Sequence, residues 1–379
     1  MEAILLSQLV KGFASPANDC YITDVVTDSR SRGKGSLFLA IKGERVNGQN
    51  FARKALSQGA EFVITEDLIA DVPAEKQRVV ANVLDASIKM GANVRAKYNL
   101  DVIGVTGSVG KTTTKDFIYA AISPFAPTVK SLGNRNNELG MPKTIYTFTQ
   151  ADKFRVLEMG MENFGDVHKL SMAAKPRAAV ITGIGVSHLE RMKTRENIFK
   201  AKMEICDGMS DDGILVLNGD DDFLPAARPE KPKNIVYFAI KNQNADVVAK
   251  NIQQQGRSTA FVISDKKYGD FNCVIPTVGN HNVMDAMSAY AVATRLGFDP
   301  ARVCKNLGGY QVSGWRQNFV EKNGALIIED CYNAAPDSMK AAIDTLVSVA
   351  KGRKICCFGD MLELGDDTDN LHREVGEYA

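Results

Sequence analysis

Asp101–Asp116, read as DVIGVTGSVGKTTTKD, decides the fold of this chain. Val102-Ile103-Gly104-Val105 is a continuous apolar run, the pattern of a parallel strand buried on both faces. It passes into the loop Thr106-Gly107-Ser108-Val109-Gly110, and Lys111-Thr112-Thr113-Thr114 opens a helix. Such a loop bares backbone N–H groups at a helix N-terminus, where free donors and the helix dipole both favour an anion. Gly107 and Gly110 supply backbone freedom, Lys111 a mobile positive charge and Thr112 a hydroxyl suited to Mg²⁺. The common pattern G-x-x-x-x-G-K-[ST] has glycine where this chain has Val105. The alternative is an ordinary glycine-rich turn carrying Gly110-Lys111-Thr112 by accident. The strand–loop–helix context favours phosphate binding.

Working outward, 379 residues predict two or three domains, each with its own core. The 46 basic and 45 acidic residues leave a net charge of +1, which argues against nucleic acid or an anionic membrane as the main partner. No run approaches the length of a membrane span, and the start, MEAILLSQLVKGF, is not expected to act as a leader. Seven scattered cysteines without C-x-x-C spacing read as reduced thiols of a cytoplasmic protein.

Before the loop, residues 1–85 form a first candidate domain. Ser36–Ile41 and Phe62–Thr65 read as strands, and Phe51–Gln58 as a helix closed by Gly59. Thr27-Asp28-Ser29-Arg30 and Lys42-Gly43-Glu44-Arg45 read on their own as polar turns. A helix over Ala86–Tyr98 opens the central domain, 86–312. Ser131–Pro142, dense in amides and glycines, reads as a loop; its asparagines suit a turn and a polar ligand equally.

Phe154–Gly160 is a predicted strand with Glu158 at its C-terminal end, where doubly wound sheets place their ligands; there it would hold Mg²⁺ directly or through water. His188 follows another such strand end, Ala178–Gly185, and reads as a metal residue on the same rim. Nothing local singles out Lys202 on its helix, and Asp220-Asp221-Asp222 reads as a solvated turn. Ala245–Pro276 shifts to a β-ribbon pattern, and Gly279-Asn280-His281-Asn282 precedes a helix over Val283–Leu296. The last segment, 313–379, alternates a strand at Leu326–Asp330, a helix at Asp337–Ala350 and a strand at Lys354–Phe358. It reads as the opening of a parallel α/β domain.

Together these residues resemble the Mur ligases over nearly the whole chain. Thr106–Thr112 is similar to that family's shortened phosphate loop, which accounts for Val105; Glu158, His188, Lys202, Gly279–Asn282, Arg316 and Asp330 follow in family order. Gly133-Asn134-Arg135-Asn136-Asn137 and Gly359–Gly365 are most similar to the branch that adds D-alanyl-D-alanine. The resemblance implies an α/β, three-domain Mur ligase architecture. Its parts are an N-terminal uridine-nucleotide domain, a central parallel-sheet P-loop ATPase-like domain and an incomplete C-terminal Rossmann-like domain. The implied enzyme is a monomeric ATP-dependent ligase joining D-alanyl-D-alanine to UDP-N-acetylmuramoyl-tripeptide through an acyl phosphate.

The same resemblance implies the site. Thr106, Gly107, Ser108, Val109, Gly110, Lys111, Thr112 and Thr113 cradle ATP phosphates, and Thr112 with Glu158 holds Mg²⁺. His188 and Lys202 serve a second Mg²⁺, the lysine as a carbamate. Asn280 contacts the adenine, Asp330 the ribose and Arg316 the phosphate side. Asp28, Ser29, Arg30, Lys42 and Gly43 meet the uridine nucleotide, reversing the plain-turn reading, and Asn134, Asn136 and Asn137 join the substrate-binding set. Two departures stand out: Asp285 where the family usually carries a second Asn, and a C-terminal domain lacking expected strands. The rival expectations are a ligase of the same architecture with another acid or amine, and a nucleotide-binding fragment with little ligase activity.

Overall fold

The computed structural model describes residues 1–31, 33–43 and 45–379, so Glu44 of the expected turn lies outside the described residues. The chain separates into two compact units. One comprises Met1–Leu100, Arg135–Asp152 and Met172–Ala174; the other comprises Asp101–Asn134, Lys153–Ser171 and Lys175–Ala379.

The first unit is built on four parallel strands in the order Asp24–Val26, Ser36–Leu39, Ala60–Thr65, Gln77–Val79. Phe38, Val63 and Val26 close its core against Ala52 and Ala55 of the helix Ala52–Ser57. The helix Val83–Arg95 starts earlier than expected, because the Asn82 side chain caps it by accepting the N–H of Asp85 at 2.9 Å. The asparagine-rich segment is not a loop throughout. Asn137 Oδ1 accepts the N–H groups of Leu139 and Gly140, and the helix Gly140–Ile145 starts there.

The second unit carries a nine-stranded sheet in the order Gly269–Ile275, Ser258–Asp265, Val247–Gln255, Asn234–Ala239, Ile214–Asn218, Ala178–Ile181, Asp101–Thr106, Phe154–Glu158, Thr128–Lys130. The pairs from Thr128–Lys130 across to Val247–Gln255 are parallel. The last two pairs are antiparallel, as the β-ribbon pattern predicted. After Asp101–Thr106 the chain places its next two strands on one side and Ala178–Ile181 on the other. The loop therefore emerges at the switch point of the sheet, where the crevice of such folds lies. Register matters: Glu158 stands beside Val105 and Ile181 beside Thr106, so three strand ends share one rim.

The C-terminal segment departs from expectation. Ala325–Glu329 does form a strand, but it pairs antiparallel with Asn318–Lys322 in a hairpin, and the helix Pro336–Val349 follows. Lys354–Phe358 forms no strand, and Ile355 and Phe358 are 66% and 46% exposed. A strand needs a neighbour for its N–H and C=O groups, and none pairs with this run among the described residues. The segment's core joins two helices and the loop between them: Met339 and Ile343 meet Met361, Leu364, Leu371 and Val375.

Candidate active site

The phosphate loop takes its shape from two glycines and the strand beside it. Gly107 has φ +147°, and a Cβ there would lie 1.8 Å from Thr182 Oγ1. Gly110 has φ +87°, with an added Cβ 2.7 Å from Asp285 Oδ1. Only glycine fits either place. The Ser108 N–H donates to the Gly183 carbonyl at 2.9 Å, Gly185 N–H to Ser108 Oγ at 2.9 Å, and Thr182 Oγ1 to the Val109 carbonyl at 2.5 Å. The loop is thus stitched to the end of Ala178–Ile181.

The helix Lys111–Ile122 starts at the loop's end. Lys111 Nζ folds back to the carbonyls of Gly107 at 2.8 Å and Ser108 at 3.3 Å. Burial pulls its pKa down, Glu158 opposing and Arg316 adding to the shift. Thr112 Oγ1 donates to Glu158 Oε2 at 2.7 Å, both buried, so the two oxygen donors read from the sequence do meet. One turn on, buried Lys115 places Nζ 3.7 Å from Glu158 and 3.9 Å from Asp116, and Lys130 reaches Asp116 at 2.8 Å. Lys115 was not read as a site residue, although its place four residues after Lys111 puts both on one helix face.

His188 and Lys202 lie within electrostatic reach of each other and of Lys111. Lys202 is 1% exposed, and neither an ion pair nor a hydrogen bond of its amine is found among the described residues. Burial, with the nearby Lys111 charge, holds its pKa well below the lysine range. Burial and Lys202 lower the pKa of His188, whose backbone is left-handed at φ +68° and whose Nδ1 meets Glu363 Oε2 at 2.5 Å. An imidazole and an amine bring no oxygen ligand. The pair suits a hard cation only once Lys202 has become a carbamate; that reaction needs the amine without its extra proton, and burial shifts Lys202 in that direction.

Arg316 stacks over the Tyr332 ring at 4.0 Å and acts electrostatically on Lys111 and Asp330. Asn280 is exposed on the first turn of Asn280–Arg295. Buried Asn282 instead is fully engaged, donating to Val278 O at 2.7 Å and Gln317 Oε1 at 2.5 Å. Gln317, next to Arg316, also donates to Thr345 Oγ1 at 3.0 Å and so ties this loop to the helix Pro336–Val349. Asp285 is buried and accepts Thr114 Oγ1 at 2.8 Å; burial pushes its pKa up to about 8. Asp220 and Asp221 are loop fasteners, accepting N–H groups of residues 240–242 and of Ile184, Phe223 and Leu224.

The remaining residues read from the sequence divide between the units. In the first unit, Asp28 and Arg30 pair at 2.7 Å, which holds the Asp28 carboxyl down to about 2, with buried Ser29 between them. Lys143, unread in the sequence, donates to Thr27 Oγ1 at 2.9 Å. Lys42 bridges to Asn47, and Gly43 N–H donates to Val46 O at 2.9 Å. Asn136 and Asn137 belong to this unit, and Asn134 to the second. Among the described residues, no three His, Cys, Asp or Glu side chains gather as a metal cluster.

Family models match along the chain: the Mur ligase family, catalytic domain, over 21–102; the Mur ligase middle domain over 105–293; and the Mur ligase, glutamate ligase domain, over 315–379. The chain is 37% identical to a curated UDP-N-acetylmuramoyl-tripeptide–D-alanyl-D-alanine ligase of Bacillus subtilis, over 98% of this chain and 81% of the relative. It is 30% identical to the protein of that name in Escherichia coli, over 100% of this chain and 84% of the relative. Among solved structures, a crystal structure of MurF from Acinetobacter baumannii superposes with TM-score 0.90 at 34% identity, covering 99% of this chain and 82% of that one. MurF ligase from Thermotoga maritima in complex with ADP superposes with TM-score 0.85 at 30% identity, covering 94% and 81%.

Proposed function

The chain belongs to the Mur ligase family, and on that premise we infer that it is an ATP-dependent ligase forming an amide between UDP-N-acetylmuramoyl-tripeptide and D-alanyl-D-alanine, in peptidoglycan precursor synthesis in the cytoplasm. The observation that carries the reading is the meeting of the phosphate loop and the Thr112–Glu158 pair on one rim of the sheet, with buried Lys202 within electrostatic reach of Lys111.

A carboxylate resists attack by an amine until one oxygen becomes a leaving group. The tripeptide carboxylate attacks the γ-phosphorus of ATP, forming a C(=O)–O–P linkage as ADP departs. The amine of the dipeptide then attacks the carbonyl carbon, phosphate leaves, and the amine's extra proton is lost. Both steps crowd anions together, so positioning and charge neutralisation provide most of the rate. Lys111 and the loop N–H groups hold the phosphates, with Arg316 on their flank. Thr112 and Glu158 hold one Mg²⁺, and His188 with carbamylated Lys202 a second; when bound, Mg²⁺ offsets the phosphate charge. Asn280 contacts the adenine and Asp330 the ribose. Asp28, Ser29, Arg30, Lys42, Gly43, Asn134, Asn136 and Asn137 bind the uridine nucleotide and its peptide. The work is divided among three domains bounded near 85 and 312, in a monomer.

The test is phosphate release from ATP with UDP-N-acetylmuramoyl-tripeptide, with and without D-alanyl-D-alanine and with a panel of other amines. ADP and phosphate that require both substrates are expected. AMP and pyrophosphate, or preference for another amine, would overturn the reading.

A further inference from the structure

The segment Met361–Gly365 approaches His188 through several independent contacts, none of which the ligase reading uses. Glu363 Oε2 lies 2.5 Å from His188 Nδ1. The carbonyl of the same residue accepts the N–H of Glu190 at 3.0 Å. At Gly365, φ is +65° and a Cβ would stand 3.0 Å from Glu190 Cα, so any larger residue would be strained and tightly packed there. Met361 and Leu364 are buried in the core of the C-terminal segment, with Val186 packed against it. Segment and loop are held by backbone, side chain and core together.

Both partners pay in backbone conformation. His188 has φ +68° and Glu363 φ +62°, the left-handed region, which is strained for a side-chain-bearing residue. Two such residues facing each other persist only where the surroundings impose them. The contact has a chemical consequence. A carboxylate accepts and does not donate, so Nδ1 of a neutral His188 must carry the proton, and Nε2 is left with its lone pair. The Lys202 and Lys111 amines also lie within electrostatic reach of this ring.

We propose that Glu363 is a positioning residue of the active site: it fixes the His188 ring in the Nδ1–H tautomer and so reserves Nε2 as the cation-facing nitrogen. This rests on the reading of His188 as a cation residue. The same segment supplies an internal reference. His372 Nδ1 lies 2.8 Å from the Thr368 carbonyl while its Nε2 accepts the Met361 N–H at 3.0 Å, so His372 is held in the same tautomer by contacts independent of Glu363.

The experiment uses the full chain labelled with nitrogen-15 histidine, free of metal and nucleotide, near pH 7.5, with the chain's four histidines resolved by long-range proton–nitrogen correlation. His188 is expected as Nδ1–H in the wild type, as mainly Nε2–H in Glu363→Ala, and again as Nδ1–H in Glu363→Gln, whose amide oxygen accepts the same bond. His372 should stay unchanged throughout. In turnover, the Mg²⁺ concentration for half-maximal rate should rise about 10- to 100-fold in Glu363→Ala, with recovery in Glu363→Gln and an unchanged melting temperature. A wild-type His188 that is Nε2–H or doubly protonated, a tautomer indifferent to Glu363→Ala, or a simultaneous change at His372 would overturn the proposal. A wild type without ligase turnover but with the expected tautomers would sink the ligase reading alone.

Discussion

Two apolar tetrads met opposite fates. Val102-Ile103-Gly104-Val105 became the middle of the large sheet, with its three large side chains at 0% exposure and a parallel neighbour on each edge. Ile355-Cys356-Cys357-Phe358 is as apolar and as rich in strand-forming residues, yet its cysteines and both flanking side chains are exposed, outside any sheet. Local sequence sets the same preference in both. What differs is the supply of partners, since a strand's N–H and C=O groups and its two faces all need something to meet. The first tetrad, once fixed, aims a loop; the second aims nothing.

The comparison can be tested from both sides. The largest effect belongs to what the buried strand presents: Lys111→Ala should lower ATP turnover by about 1000-fold, near 4 kcal/mol of transition-state stabilisation, with unchanged circular dichroism. Near-normal turnover would detach the strand from the chemistry. In the strand itself, Ile103→Ala should cost about 2–5 kcal/mol in urea unfolding, because the sheet on either side cannot collapse into the cavity.

Packing against the loop gives a smaller effect with a definite sign. Asp285 has a folded pKa of about 8 against an ordinary 3.8, so its contribution to stability is complete below about pH 4 and is lost as pH rises to about 8. Asp285→Asn should remove that slope, up to about 1.4 kcal/mol per pH unit, and raise the melting temperature at pH 7. Parallel pH–stability curves for the two proteins would show that the carboxyl is not buried as described. The smallest effect sharpens the contrast: Ile355→Ala should stay within about 0.5 kcal/mol of wild type, and the Ile355 amide should exchange with solvent while the Ile103 amide is protected. A loss of about 2 kcal/mol at Ile355 would erase the difference between the tetrads.

Much of the molecule was legible in the chain. The strand–loop–helix at Asp101–Asp116, the strand carrying Glu158, the β-ribbon after Ala245 and the long helix after Gly279 arise from apolar runs, periodicity and glycines, and these local signals coincide with their tertiary roles. Helix starts were less legible. Asn82 moved one start and Asn137 opened a helix where a loop was expected, each by offering a side-chain oxygen to free N–H groups, and an asparagine reads as loop or cap depending on the residues C-terminal to it.

The sequence by itself determined the phosphate loop, its glycines and the strand that carries it, because the requirements there are local: φ values, an anion-facing helix end and a doubly buried strand. Only the tertiary structure decided that Thr112 meets Glu158 across 46 positions and His188 meets Glu363 across 175, and that, among the described residues, Lys202 is left without a partner and Ile355–Phe358 outside a sheet. Those outcomes depend on which surfaces the folded chain brings to one rim, and neither spacing nor propensity encodes the absence or presence of a neighbour.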